Sequence, residues 1–170
     1  MTTVVADVGL DTSNSYVTVA EADAYFGDSF GRLLWAPTSD PNKATLVVYA
    51  SRLLDQYIEW AGQKASDTQG MEWPRAGAYD RFGAAISSNV IPKPVKYATF
   101  ELAYYVLENN GLSFVDQTID SVKVGSIQVE FTPKSTDVGI PKFIENMLYG
   151  LGAPVIFGST GARNIRLERA

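Results

Sequence analysis

The longest mostly apolar stretch, residues 91–108, predicts the central helix of the fold. It starts with Pro92 and Pro94, whose missing N–H groups cost nothing in the first turn of a helix, and no helix breaker follows before Asn109. Between Val95 and Leu107 only three side chains are clearly polar: Lys96, Thr99 and Glu101. A helix that is apolar on nearly every side is a buried helix. We therefore expect a helix over about residues 94–109, with the other elements packed around it.

A capping box marks the start of a helix near the N-terminus. Thr18 and Glu21 stand three residues apart, so each side chain can bond the backbone N–H of the other residue. The helix should continue through Phe26 and stop near Gly27 or Gly31. The small and polar residues 1–14 that precede it predict an N-terminal arm.

A second start signal lies at Asp40, which we expect to be the N-cap, with Pro41 at the first helical position. This helix should end at Gly62. Its apolar residues recur at steps of three and four, which is typical of an amphipathic helix packed on a core. They are Leu46, Tyr49, Ala50, Leu53, Tyr57 and Trp60.

The segment after the second helix carries no clear period between residues 63 and 89. Trp73 and Pro74 inside it are expected to anchor the loop to the core. Arg75 is expected to pair with Glu101 or another carboxylate, because an unpaired charge inside a protein is costly. Glu101, in turn, should pair with an arginine such as Arg52 or Arg75.

After the central helix the apolar period changes to two, which predicts a β-hairpin over about residues 118–132. Gly125 and Ser126 form a two-residue loop with glycine first, as a type II′ hairpin requires. One face is then nearly all apolar, so it must rest on helices or on another subunit. The expected cross-strand pairs are Val124–Ile127, Val122–Val129 and Asp120–Phe131 on that face, and Lys123–Gln128 and Ser121–Glu130 on the other.

The last part of the chain predicts a short helix and a tail. Pro141 opens the helix, and Gly150 and Gly152 close it. The chain is thus divided into an arm (1–14), a helical domain with the hairpin (15–152) and an extended tail (153–170). The fold class is mainly α, a small helical bundle around the central helix with one hairpin.

The residue types present exclude several kinds of active site. The chain has no histidine and no cysteine, so Ser-His-Asp and Cys-His sites, ordinary zinc sites and disulfides are all ruled out. Carboxylate catalysis and a magnesium site stay open, but no paired acid and base can be named. We therefore expect no enzyme, no metal and no cofactor. No apolar run approaches the roughly 20 residues of a membrane span.

With a net charge of −5, the chain lacks the overall excess of basic residues that is typical of a nucleic-acid-binding protein. Four tyrosines could stack on bases, but their helical surroundings favour core or interface positions: Tyr49, Tyr97, Tyr104 and Tyr105. A local basic patch is confined to the tail, where three arginines alternate with apolar residues.

Five stretches occur in the order of a known family. The opening S-Y-V-T-V-A-E-A-D-A-Y-F at residues 15–26 resembles that of small proteins encoded among the head and neck genes of tailed bacteriophages, some of them labelled putative DnaT-like single-stranded-DNA-binding proteins. The resemblance extends over about residues 15–131. The group is similar to head–tail adaptor (connector, head-completion) proteins. The other stretches are 50–55, 73–75, 91–103 and 122–125.

This resemblance implies a small helical bundle with a hairpin that assembles into a ring, usually of twelve copies, in the neck of the virion. Its partners would be copies of itself, the portal protein, a tail or tail-terminator (stopper) protein, and packaged double-stranded DNA in the lumen. An acidic lumen would let DNA slide, because no counterions are released by contact with phosphates. The protein would be made in the host cytoplasm and have no membrane partner.

The hairpin and the tail are the expected contacts with the portal or a neighbouring subunit. The alternative function is binding of single-stranded DNA, against which the acidic composition and the lack of a dense Lys/Arg surface speak. The expected contact residues are Lys123, Gly125, Ser126, Gln128, Arg163, Ile165, Arg166, Leu167 and Arg169.

Overall fold

A computed structural model describes residues 2–109, 121–124, 127–130 and 139–155. In this part of the chain four helices are combined with three two-stranded antiparallel sheets, so the fold is mixed and not clearly mainly α. The helices are α1 (Val19–Gly27), α2 (Asp40–Tyr57), α3 (Lys93–Glu108) and α4 (Lys142–Met147). The strands are β1 (Ile58–Trp60), β2 (Gln63–Lys64), β3 (Arg75–Ala76), β4 (Ser121–Val124), β5 (Ile127–Glu130) and β6 (Gly152–Pro154).

Helix α3 is the predicted central helix. It packs against both α2 and α4. The buried polar residue of this helix, Thr99, is satisfied within the helix, because its hydroxyl donates to the carbonyl oxygen of Val95, 2.9 Å away. Its buried residues lie on more than one side of the helix, as its composition predicts: Val95, Ala98, Thr99, Phe100, Leu102, Ala103, Tyr104 and Val106.

The capping box at the start of α1 is confirmed. The backbone N–H of Glu21 donates to Thr18 Oγ1 at 3.1 Å, and the N–H of Thr18 donates to Glu21 Oε2 at 2.8 Å. Glu21 also accepts from Lys96 Nζ at 2.6 Å, which ties α1 to α3. Burial opposes ionisation of Glu21, but the bonds from Lys96 and Thr18 lower its pKa overall.

The predicted bounds of α2 are wrong at both ends. Ser39 is the N-cap and Asp40 is the first helical residue. The helix ends at Tyr57, before the expected Gly62, because residues 58–60 leave the helix to pair with β6. Gly62 instead takes a turn with φ of +75°, which glycine adopts without strain.

The buried face of α2 also differs from the predicted stripe. Tyr49 is exposed and Trp60 belongs to β1, although Ala50 and Leu53 are buried as expected. Lys43 is buried, because its stem lies along the core while Nζ bonds Asp23 Oδ1 at 2.8 Å. The buried residues are Lys43, Ala44, Val47, Val48, Ala50, Ser51, Leu53 and Leu54.

The loop after β1 is held by Trp73 and Arg75, as expected of this triplet. Trp73 is buried against Trp60, with ring centroids 5.8 Å apart. Arg75 forms an ion pair with Glu72 at 2.8 Å and does not pair with Glu101. Its guanidinium also reaches the main chain between β1 and β2, so the arginine joins the two sides of the loop.

The hairpin is confirmed in its register. Strands β4 and β5 pair antiparallel, and all four expected pairs within residues 121–130 are present. Val122 and Val129 are opposite each other on one face, and Lys123 and Gln128 on the other. The expected pair Asp120–Phe131 lies outside the described residues.

The short last helix is confirmed as α4, which begins after Pro141 as expected but ends at Met147, before Gly150 and Gly152. The chain then turns at Gly150 and enters β6, where Ala153 and Pro154 pair with Glu59 and Ile58. The N–H of Val155 continues the ladder by donating to the carbonyl oxygen of Tyr57 at 2.8 Å. None of the helices in the described ranges is long and apolar enough to cross a membrane.

Candidate interaction surface

An apolar groove of 540 Å³ opens on the surface where three segments meet. The loop 79–92 forms one wall, the start of α3 forms the floor, and the turn between α4 and β6 forms the other wall. We refer to it as the apolar groove. Its lining consists of Asp80, Arg81, Phe82, Ile86, Ser87, Val90, Pro92, Pro94, Tyr97, Met147, Tyr149 and Leu151.

Asp80 shapes the first wall. Its Oδ1 accepts from the backbone N–H groups of Phe82 at 2.9 Å and Ala84 at 2.8 Å, an Asx-type turn. Gly83 completes the turn with φ of +82°. The turn fixes the backbone at Phe82 and leaves 86% of this residue exposed.

Gly150 brings the second wall against the first. A Cβ atom at this position would lie 3.2 Å from Cα of Arg81, and φ is +88°, so glycine permits both the turn and the close approach. The neighbouring Tyr149 is 71% exposed. The groove is therefore bordered by two aromatic residues whose backbones are fixed by short turns.

The charged residues in the groove lining are one carboxylate, Asp80, and one cation, Arg81. Arg81 is exposed and forms no ion pair within the described part of the chain, whereas Lys93 lines a neighbouring cavity. The carboxylate of Asp80 is engaged by its own loop. An occupant of the groove with an apolar body and an adjacent carboxylate would match this surface.

A second exposed apolar surface lies on the loop between α1 and α2. Phe30 is fully exposed and Leu33 is 80% exposed, with Leu34 half-exposed beside them. We refer to Phe30, Leu33 and Leu34 as the Phe30 knob. None of its residues lines the apolar groove.

The knob projects from a loop that is anchored on both sides of Phe30. The Ser29 hydroxyl donates to the carbonyl oxygen of Tyr25 at 2.8 Å, and the buried Trp35 donates from Nε1 to Asp23 Oδ1 at 2.8 Å. Arg32 NH2 bonds Glu101 Oε2 of α3 at 2.6 Å. Arg32, and neither Arg52 nor Arg75, is thus the partner of Glu101.

Glu101 also organises a tyrosine pair beneath the knob. Its Oε1 accepts from the hydroxyl of Tyr25 at 2.8 Å, and the guanidinium of Arg32 lies 4.7 Å from the ring centroid of Tyr104. Burial and the bond to Glu101 raise the pKa of Tyr25, so it stays protonated and donating. These contacts account for a charged residue in an otherwise apolar helix.

A different carboxylate, Asp55, joins the segment just before α1 to the loop after β1. It accepts from the Tyr16 hydroxyl, from Trp60 Nε1 at 3.2 Å and from the backbone N–H of Glu72 at 3.2 Å. Burial raises its pKa to about 6 despite these bonds, and the nearby charge of Glu72 adds to the rise. Its bonds hold Tyr16, Trp60 and the loop at Glu72 together, so we assign Asp55 a role in stability.

The contact residues predicted from the sequence fall largely outside the described residues. Lys123 and Gln128 are cross-strand neighbours in β4 and β5. As contacts with the portal or a neighbour, all nine remain predictions. The seven that lie outside the described residues are Gly125, Ser126, Arg163, Ile165, Arg166, Leu167 and Arg169. In the described ranges no three carboxylates come together as a metal site would require.

The sequence analysis missed both apolar surfaces, although each leaves a signal in the sequence. Phe30-Gly31 and Phe82-Gly83 each place a large aromatic residue before a glycine inside a loop. A core residue in such a loop needs an element to pack on, and neither loop has the apolar period that would supply one. An aromatic residue of this kind is a candidate for a contact with another molecule.

One of three comparisons with known proteins gives a match. The protein-family model described as "Putative DnaT-like ssDNA binding protein" matches residues 1–170. No curated protein and no solved structure matches the chain significantly.

Proposed function

The chain belongs to the family described as "Putative DnaT-like ssDNA binding protein", and from this premise we propose that it is a structural virion protein of a tailed bacteriophage. It forms the adaptor ring between the portal and the tail and continues the DNA channel. The family description names a binding activity, whereas the resemblance of the motif set to head–tail adaptors favours an architectural one.

The observation that carries the proposal is the pair of separate exposed apolar surfaces. Large apolar side chains that cluster on a soluble protein mark interaction sites, because their exposure to water is unfavourable. The apolar groove and the Phe30 knob are two such surfaces on different segments of the chain. A ring needs two different faces on each subunit, since each copy meets the next one head to tail.

The hairpin supplies a third surface. Its register places Val122, Val124, Ile127 and Val129 on one face of a two-stranded sheet that pairs with no other strand in the described ranges. A hairpin of this size is marginal by itself, so its apolar face requires cover from the bundle or from another chain. The polar face, with Lys123 and Gln128, is then available to the portal.

The charge of the protein suits a conduit for double-stranded DNA. A net charge of −5 disfavours contacts that would neutralise phosphates and hold the DNA in place. The proposed partners are copies of this chain, the portal protein, a tail or stopper protein and the passing DNA. The proposal assigns no catalytic role, metal or cofactor, and it places the protein in the virion neck.

The test is electron microscopy of particles made with and without this chain. We expect a ring of the chain beneath the portal in complete particles, and DNA-filled heads without tails when the chain is absent.

A variant ending at residue 161 should fold normally but attach to the portal about tenfold more weakly or worse, because it lacks the arginine-bearing tail. Necks that contain no copy of this polypeptide would contradict the proposal.

Binding of single-stranded DNA is the second candidate, favoured by the family description and by the aromatic rings of the apolar groove. Phe82, Tyr97 and Tyr149 offer rings on which bases could stack. Arg81 in the groove and the exposed Lys93 of the neighbouring cavity could meet two phosphates. Neutralising two phosphates of a single strand predicts a slope of about −1.4 for log K against log salt.

The discriminating measurement is fluorescence anisotropy of a labelled oligonucleotide at several salt concentrations. For an adaptor we expect no saturable binding at physiological salt, with the double variant Arg81→Ser, Lys93→Ser behaving like the parent. Micromolar binding that shows this slope and is lost in the double variant would favour the second candidate.

A further inference from the structure

We propose that the apolar groove of one copy receives the Phe30 knob of the next copy. This inference rests on the proposed ring and names its subunit contact. The knob and the groove lie on different segments and share no residue. A knob on one copy and a groove on the next can therefore repeat around a ring.

The first argument is the match of an exposed aromatic residue with an apolar cavity. Phe30 is fully exposed, and the groove offers 540 Å³ between walls that carry Phe82 and Tyr149. Inserting a phenyl ring there removes the exposed faces of several apolar side chains from water at once. Aromatic anchors in such pockets dominate the energy of protein interfaces.

The second argument is charge. Asp28 is exposed two residues before Phe30, and its carboxylate forms no ion pair in the described part of the chain. Arg81 in the groove lining is also without an ionic partner there. Insertion of Phe30 brings the Asp28 carboxylate towards the Arg81 guanidinium, which favours a contact of the knob with the groove.

The third argument is preorganisation. Arg32 and Trp35 fix the knob to Glu101 and Asp23, while Asp80 and Gly150 fix the two walls of the groove. Because both surfaces have their backbones held before contact, association loses little conformational entropy. The same surfaces offered by mobile loops would need more buried area for the same affinity.

The absence of cysteine allows a direct test by site-specific cross-linking of the full chain. Ser29→Cys lies next to Phe30, and Ser87→Cys lies in the groove lining, so both leave the apolar side chains intact. We expect the double variant, concentrated and treated with a short bismaleimide, to give a ladder of linked trimers and larger species. Each single variant alone should remain unlinked, because two knobs or two grooves do not meet.

Two further substitutions in the double variant separate the contact from chance collisions. Phe30→Ser should reduce the linked product about tenfold or more, as expected for loss of an aromatic anchor. Tyr49→Ser removes another exposed aromatic residue, outside both surfaces, and should leave the ladder unchanged. Circular dichroism checks that both variants keep the fold.

Three further outcomes count against the inference. Linked dimers without larger species would indicate a closed two-fold pair, and linkage of Ser87→Cys to Ser126→Cys instead of Ser29→Cys would assign the groove to the hairpin. No linkage, although microscopy shows a ring at the neck, would overturn this contact and leave the proposed function standing. A ladder from a protein that is missing from the neck would support the contact and overturn the function.

Discussion

Replacing Arg75 with alanine is expected to lower the free energy of unfolding by about 3–5 kcal/mol. The guanidinium makes five hydrogen bonds, which equal its five N–H donors. Nε bonds the carbonyl oxygen of Ala61 at 2.8 Å, and NH2 bonds those of Gly62 at 2.8 Å and Trp60 at 3.3 Å. NH1 bonds the carbonyl oxygen and the carboxylate of Glu72. The alanine variant leaves these oxygens without their partner.

Two variants control this experiment, which uses urea or thermal unfolding followed by circular dichroism. Arg75→Lys keeps the charge but not the planar fork of donors, so we expect an intermediate loss. Arg52→Ala removes an exposed arginine of α2 and should change the free energy of unfolding by less than about 0.5 kcal/mol. A loss below about 1 kcal/mol for Arg75→Ala would show that water replaces the guanidinium without penalty.

Lowering the pH from 7.5 to 5 is expected to stabilise the protein through Asp55, by roughly 1 kcal/mol. The pKa of this carboxyl is about 6 in the fold, above the ordinary value of 3.8, because burial disfavours its charge. The folded state thus takes up a proton in this pH range that the unfolded state does not. The stabilisation is complete below the unfolded pKa and is lost as the pH rises through 6. The chain has no histidine, whose titration would fall in the same range.

Thermal unfolding at several pH values measures this effect, as a rise of about 2–4 °C in Tm between pH 7.5 and 5. Asp55→Asn should abolish the rise, since the amide does not titrate. Asp23→Asn is the matched control: burial opposes the charge of Asp23, but bonds from Lys43 and Trp35 lower its pKa overall, so its proton uptake falls below this range. A parent protein whose Tm is constant or falls towards pH 5 would contradict the assignment to Asp55.

The features predictable from the sequence were those fixed by neighbouring residues. The capping box needs only Thr18 and Glu21, and the hairpin register needs only a two-residue loop and the alternation on either side of it. The end of α2 depended on a partner far along the chain, since Ile58 leaves the helix to pair with Pro154. The helical period continues to Trp60 in the sequence, so it does not indicate that residues 58–60 pair with a distant strand.

The polar contacts and the candidate surface were missed for the same reason. The sequence predicted that Glu101 has a cationic partner, but it did not distinguish between the arginines. Only the fold shows that the partner is Arg32. The apolar groove is formed by residues near 80, 97 and 149. No pattern in the sequence indicates that these three segments lie next to each other. Fold class was predictable only coarsely, because two of the three described strand pairs that make the fold mixed involve segments of two or three residues.

The pairing of β6 with β1 has a mechanical consequence for whatever the chain beyond residue 155 is attached to. Tension on that end is transmitted to the bundle through a three-residue strand and the bond from Val155 to Tyr57. A pull across the strand breaks these bonds one at a time, starting at Val155, whereas a pull along it strains them together. The attachment of β6 to β1 should therefore resist a pull along β6 better than a pull across it.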